Sequence, residues 1–312
     1  MRYILIILLF CSVGANAQMV IKAHPNYVPF ASVNIFAQTS NTYSLRKVIS
    51  SYTGSAIRVR KDTTGQPEQD IGFLGSGELD TVSLKSFLNA RSGFAVTWYS
   101  QNNNQNATQA TAANQPRIAL NGVIDRLGGK PTLLFDGSND FMSAASFNNN
   151  AVSIYTVFSR TGGSSLFRII LRKGFTTNNT FEYLLRNTSP SNFLEGSAST
   201  GLSFNTVNTN PSTVGGVSGQ PDVIKLGIFI FDNTNIKIAL NNDNLSTSAL
   251  SGTLFQGSSP LIIGAQCTSD LCNGYSAFWP GRISEILIYG ADKTNDNADI
   301  KTNINTLFHI LN

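Results

Sequence analysis

From Tyr43 to Tyr52, apolar side chains recur at Leu45, Val48, Ile49 and Tyr52. That spacing predicts a helix, with Asn41 or Thr42 as its cap and Thr53-Gly54 as its end. The period then shortens. Ala56-Ile-Arg-Val-Arg60 alternates apolar and basic positions as a half-buried strand does, and Phe94–Tyr99 reads as the next strand. Between them a short helix is expected after Asp80, with Leu84, Phe87 and Leu88 turned inward. Beyond Pro116 strands are expected at 132–135, 141–143, 152–159, 167–172, 181–186, 223–231, 235–240, 261–264 and 282–289. Asp136-Gly137, Gly162-Gly163, Asp232-Asn233 and Asn241-Asn242 punctuate them as turns. A last helix from about Asn295 carries Ile300, Ile304, Leu307, Phe308 and Leu311 on one stripe. Many short strands with Gly and Asn turns, and few short helices, predict an all-β sandwich.

Ahead of this pattern the chain opens on Met1-Arg2, an apolar run from Ile4 to Phe10, and Ala15-Asn16-Ala17. These are the parts of a secretory signal, with cleavage expected between Ala17 and Gln18. The run is shorter than the roughly 20 residues of a membrane span, and no later stretch is long and apolar enough for one. Residues 1–17 are therefore read as signal peptide, 18–40 as a lead-in segment and 41–312 as one domain that works outside the cell. Of three cysteines, Cys11 leaves with the signal. The even, closely spaced pair Cys267 and Cys272 then predicts one local disulfide. A metal pair would need further ligands, and the two histidines, His24 and His309, lie at opposite ends of the chain. Only 13% of residues are charged, against a usual figure of about 25%, so Asn, Ser and Thr carry the surface. A net charge of +4, with no basic run longer than Arg58–Lys61, offers little counterion release and argues against a nucleic-acid partner.

Two stretches resemble known families. Leu133–Phe141, Val152–Phe158, Ile228–Leu240, Leu261–Gly264 and Phe278–Tyr289 follow one another in an order that resembles the concanavalin A-like, laminin-G-like superfamily. The resemblance implies a jelly-roll sandwich, a fold that commonly binds glycans and often calcium. Tyr43–Arg60, Gln69–Phe73 and Trp98–Gln109 resemble the start of the catalytic domain of the arabinofuranosidase-B family. That family carries a Tyr-Asp-Gln-Ser-Gly-Asn-Gly loop after the strand. Here Ser100 stands in place of the Asp, and Asn103 and Gln105 in place of the two Gly.

Retaining glycoside hydrolysis needs two carboxylates about 5–5.5 Å apart. The resemblance implies Glu195, in Phe193-Leu-Glu-Gly196, as nucleophile, with Glu182 as its rival, and Asp270 as acid/base. The competing reading makes Glu195 and Asp270 solvated loop acids. Tyr275, Trp98 and Tyr99 are candidate sugar-stacking rings, whereas Phe278 and Trp279 fit core packing. Asp136 and Asp140 would suit calcium, but the same residues also make a tight turn, so no cofactor is required. Sequons stand at Asn106, Asn178, Asn187 and Asn244. The sequence contains no nucleophile elbow, phosphate-binding loop or zincin helix. With the Asp lost from the loop, the expected function is a secreted, lectin-like protein that meets carbohydrate or glycoprotein surfaces without catalysis. An arabinofuranosidase-like hydrolase acting on arabinose-containing polysaccharide is the first alternative, and a structural surface or appendage protein the second.

Overall fold

The computed structural model describes residues 35–102, 105–161, 166–175, 180–215, 222–269 and 272–311. The expected signal peptide, most of the lead-in segment and Asp270 lie outside them. Strand dominates, in one large antiparallel sheet that folds back over itself into two layers.

The back layer runs through Ser246–Ala249, Asn235–Leu240, Lys225–Phe231, Val152–Arg160 and Pro280–Tyr289. Pro280–Tyr289 pairs on its other side with both Thr39–Ser44 and Leu133–Asp136. The sheet then turns through Arg117–Leu120, Gly93–Trp98 and Ala107–Thr108. From there it continues as a front layer of Met142–Ala144, Leu261–Ile263, Arg168–Gly174, Phe181–Asn187, Phe193–Ser199 and Phe204–Thr213. The last two front strands pack on Asn235–Leu240 of the back layer. This is the expected sandwich.

Between the layers lies the main core, where Ile154, Phe158, Phe229 and Ile286 meet Leu171, Leu185 and Ala198. A second apolar cluster covers the other side of the back layer. There the helix Asn297–Phe308 lays Ile300, Ile304, Leu307 and Phe308 over Tyr155, Ile228 and Leu287. Val152–Arg160 is thus apolar against both faces, and all nine of its residues are buried. The helix Thr81–Leu88 forms as expected, with Asp80 accepting hydrogen bonds from the Val82 and Ser83 N–H groups and Leu84 and Leu88 buried.

The helix expected over Tyr43–Tyr52 is absent. Tyr43 and Ser44 belong instead to a strand paired with Ile286 and Glu285, and residues 45–56 are irregular. Two side chains replace the helical hydrogen bonds. Gln101 accepts from the Val48 and Ile49 N–H groups and donates to the Arg46 carbonyl. Arg46 forms a two-pronged ion pair with buried Glu285, at 2.7 and 2.8 Å, and donates to Asn303 on the final helix. Leu45, Val48 and Ile49 are buried as their spacing suggested, but by a tied loop. Gln101 is buried for the same reason.

Among the strands that the sequence pattern did not predict are Phe193–Ser199 and Phe204–Thr213. The first alternates strictly. Leu194, Gly196 and Ala198 face the core, and Phe193, Glu195 and Ser197 face outward. Gly196 is required there, because a Cβ would lie 2.2 Å from the Phe229 ring. Gly196→Ala should therefore destabilise the fold by about 1–3 kcal/mol, the usual cost of overpacking. Denaturant midpoints of the two proteins measure this, and an unchanged midpoint would contradict the packing described.

Candidate functional site

The helix over the back layer leaves the outward face of the front layer as the place where chemistry can assemble. Leu171, Leu185 and Gly196 point inward, so alternation sends Arg172, Arg186 and Glu195 outward on three adjacent strands. Arg186 and Glu195 are direct cross-strand partners. Both Nε and Nη2 of Arg186 reach the same carboxylate oxygen, Oε1, at 2.5 Å. No described residue hydrogen-bonds Oε2. The Phe167 ring lies under the Arg186 guanidinium, 4.3 Å from centroid to Cζ.

Arg172 is almost wholly buried. Its Nε donates to the Gly174 carbonyl at 2.8 Å and its Nη1 to Gln266 Oε1 at 2.6 Å. Its Nη2 is buried with no partner among the described residues. Burial, with the charge of Arg186 beside it, lowers the Arg172 pKa to about 10. Phe175 and Phe181 flank the guanidinium. The face therefore offers a carboxylate oxygen that no described residue bonds, with the Phe167 ring beside it.

Glu195 is a buried strand residue, which corrects the reading of it as a solvated loop acid. Glu182 is fully buried in an ion pair with Lys173 and accepts from the Gly257 N–H at 3.1 Å. Burial pushes its carboxyl upward against the pull of that ammonium. A substrate cannot reach Glu182, so Glu195 is the carboxylate of this face. Asp270 lies outside the described residues. Cys267 and Cys272, which bound its loop, are joined in the expected disulfide.

Trp98 is corrected outright. Fully buried and 5.9 Å from the Tyr43 ring, it is a core residue with no face left for a sugar. Tyr275 is half-buried and stacks on Phe141 at 3.8 Å, so one of its faces is taken. Trp279 is buried as expected, edge-on to Phe158. Tyr99 stands apart from the front layer, on a cleft of its own. Of the sequons, Asn187 is buried and closed to glycosylation in the folded chain, while Asn178 lies outside the described residues.

Asp136 and Asp140 form a turn. Asp136 Oδ1 accepts from the N–H groups of Ser138, Asn139 and Asp140, and Asp140 Oδ2 accepts from the Asp136 N–H. Among the described residues no three Asp, Glu, His or Cys side chains converge as a metal set. The alternation that would have revealed Glu195 was hidden by the small, polar residues of Phe193–Ser199. Arg172 and Arg186, by contrast, lay in expected strands.

No protein-family model and no curated protein matches the sequence. Solved structures do match the fold. One is a Glu-to-Gln mutant of a GH54 α-L-arabinofuranosidase soaked with 4-nitrophenyl α-L-arabinofuranoside, with a TM-score of 0.62 at 14% identity. Another is an arabinofuranosidase complexed with arabinofuranosyl-α-1,2-xylobiose, with a TM-score of 0.60 at 13% identity. Each match covers 92% of this chain, which spans 65% of the enzyme's length. At such identities the likeness shows a shared fold. Among the described residues no helix is long and apolar enough to cross a membrane.

The Asp136–Asp140 turn gives a pH dependence. Burial, reinforced by the Asp136 charge, raises the Asp140 carboxyl from 3.8 to about 7. Between about pH 4 and 7 the folded chain thus holds a proton that the unfolded chain releases, and stability falls as pH rises. Asp140→Asn, whose amide oxygen can still accept the Asp136 N–H, should match the parent in melting temperature near pH 4 and exceed it at pH 8. A variant less stable than the parent at pH 8 only when calcium is present would instead favour a calcium site.

Proposed function

We propose that this protein is an arabinofuranosidase-like glycoside hydrolase acting on arabinose-containing glycans, with Glu195 as its nucleophile. The observation that carries this is the outward Glu195 carboxylate. It is oriented by Arg186 through one oxygen and has the other free, in a fold shared over nearly the whole chain with enzymes solved with arabinofuranosides. Glu195 Oε2 would attack the anomeric carbon as the glycosidic oxygen takes a proton from the acid/base residue. Water would then release the sugar with its anomeric configuration retained. Asp270 is the proposed acid/base. The leader pattern of residues 1–17 and the Cys267–Cys272 disulfide, a bond that persists in oxidising compartments, support export.

The protein should release nitrophenolate from 4-nitrophenyl α-L-arabinofuranoside, and NMR should find the first-formed arabinose in the α configuration. Glu195→Gln should lower kcat by on the order of 10³-fold or more with its circular dichroism unchanged. Turnover unaffected by that change would refute the assignment of Glu195. Absence of turnover, with retention of the protein on arabinoxylan, would establish the lectin-like reading in its place, and absence of both the structural one.

A further inference from the structure

A second cleft, of about 590 Å³, opens beside the tied loop of residues 45–56 and shares no residue with the Glu195 face. Tyr52 and Tyr99 line it together with Ser51, Thr53, Asn102 and Asn106. Its described lining contains no charged side chain, and its size falls within the range of small-ligand clefts.

Both rings are held before any ligand arrives. Tyr99 donates its hydroxyl to Asp70 Oδ1 at 2.7 Å, and Asp70 is itself gripped by Arg58 through two bonds of 2.8 Å. Tyr52 donates to the Ser55 carbonyl at 2.9 Å and meets Phe73 edge-on. It lies across the backbone of Gly54, where an added Cβ would come within 2.4 Å of the Tyr52 hydroxyl. The polar lining is partly uncommitted. Asn106 Oδ1 accepts from the Ser100 N–H, while the Asn106 NH₂ group and the hydroxyls of Ser51 and Thr53 make no hydrogen bond to a described residue.

We propose that this cleft is a binding subsite for an uncharged sugar unit of a polysaccharide, held between the Tyr52 and Tyr99 rings and the neutral amide and hydroxyl groups around them. Anchored rings lose little freedom on binding and present apolar surface to the C–H face of a sugar. The uncommitted amide and hydroxyls match sugar hydroxyls. A lining without charge provides no partner for a uronate, sulfate or phosphate, so the ligand is neutral. The site holds the polymer and does no chemistry on it.

Affinity electrophoresis of the full chain in gels containing arabinoxylan, linear arabinan or galactomannan tests this, with polygalacturonate as the charged control. Each series is run in the parent and in Glu195→Gln, so that binding is read whether or not the chain hydrolyses the polymer. Retardation is expected in at least one neutral polymer and not in polygalacturonate. Tyr52→Ala and Tyr99→Ala should each weaken it about tenfold in both backgrounds. Gly54→Ala should weaken it as well, by displacing the Tyr52 ring tip while leaving the rest of the fold alone, which keeps the test sound if Tyr99→Ala fails to fold. Retardation by no neutral polymer overturns the proposal. So does parent-like retardation in the variants, or retardation that Glu195→Gln abolishes and the tyrosine variants keep.

Discussion

The two layers can close only because the side chain that crosses from one to the other meets a residue with none of its own. Phe229 of the back layer fills the space over Gly196, and no other residue fits at that contact. A strand repeats every two residues, so fixing Gly196 inward also fixes Glu195 and Ser197 outward. A slip of one residue would turn the Glu195 charge into the core, away from Arg186, and turn Leu194 and Ala198 out of it. Core packing and the placement of the Glu195 carboxylate are therefore the same constraint seen from two sides of one strand.

The faces of the sandwich divide the work. The back layer carries apolar residues on both sides and is sealed by the final helix, which the Arg46–Glu285–Asn303 network ties to the loop of residues 45–56. That loop in turn forms one wall of the tyrosine cleft. The front layer keeps one face for the core and gives the other to arginine, carboxylate and phenylalanine. A polysaccharide that met both surfaces would be held at one point and presented at another, and low affinity at each would still produce a useful residence time on a polymer with many repeats.

Much of the fold was legible in the residues. Strongly apolar strands such as Val152–Arg160 and Lys225–Phe231, and the capped helix after Asp80, follow directly from period and propensity. Legibility failed where tertiary partners replaced local rules. Leu45, Val48 and Ile49 have helical spacing, yet a single glutamine far along the chain takes over the backbone groups a helix would satisfy. Phe193–Ser199 is too rich in small and polar residues to read as a strand, and with it went the burial of Glu195. Trp98 shows the opposite error. An aromatic beside a polar loop suggests a sugar platform, but a register shift between Ala95 and Thr97 turns Trp98 into the core opposite Ile57 and leaves Tyr99 on the cleft.

The buried Lys173–Glu182 pair has a consequence for how such chains diverge. Neither member reaches solvent, and Lys173 also bonds Ser146 and Asn148 at 3.2 Å. Loss of one partner strands a charge in the interior, whereas replacing both with apolar residues of similar volume is often nearly neutral. Single-step mutational routes away from the pair are thus closed, and double replacements are open. Among descendants of this sequence the two positions should change together or not at all, a coupled signature set by desolvation rather than by catalysis.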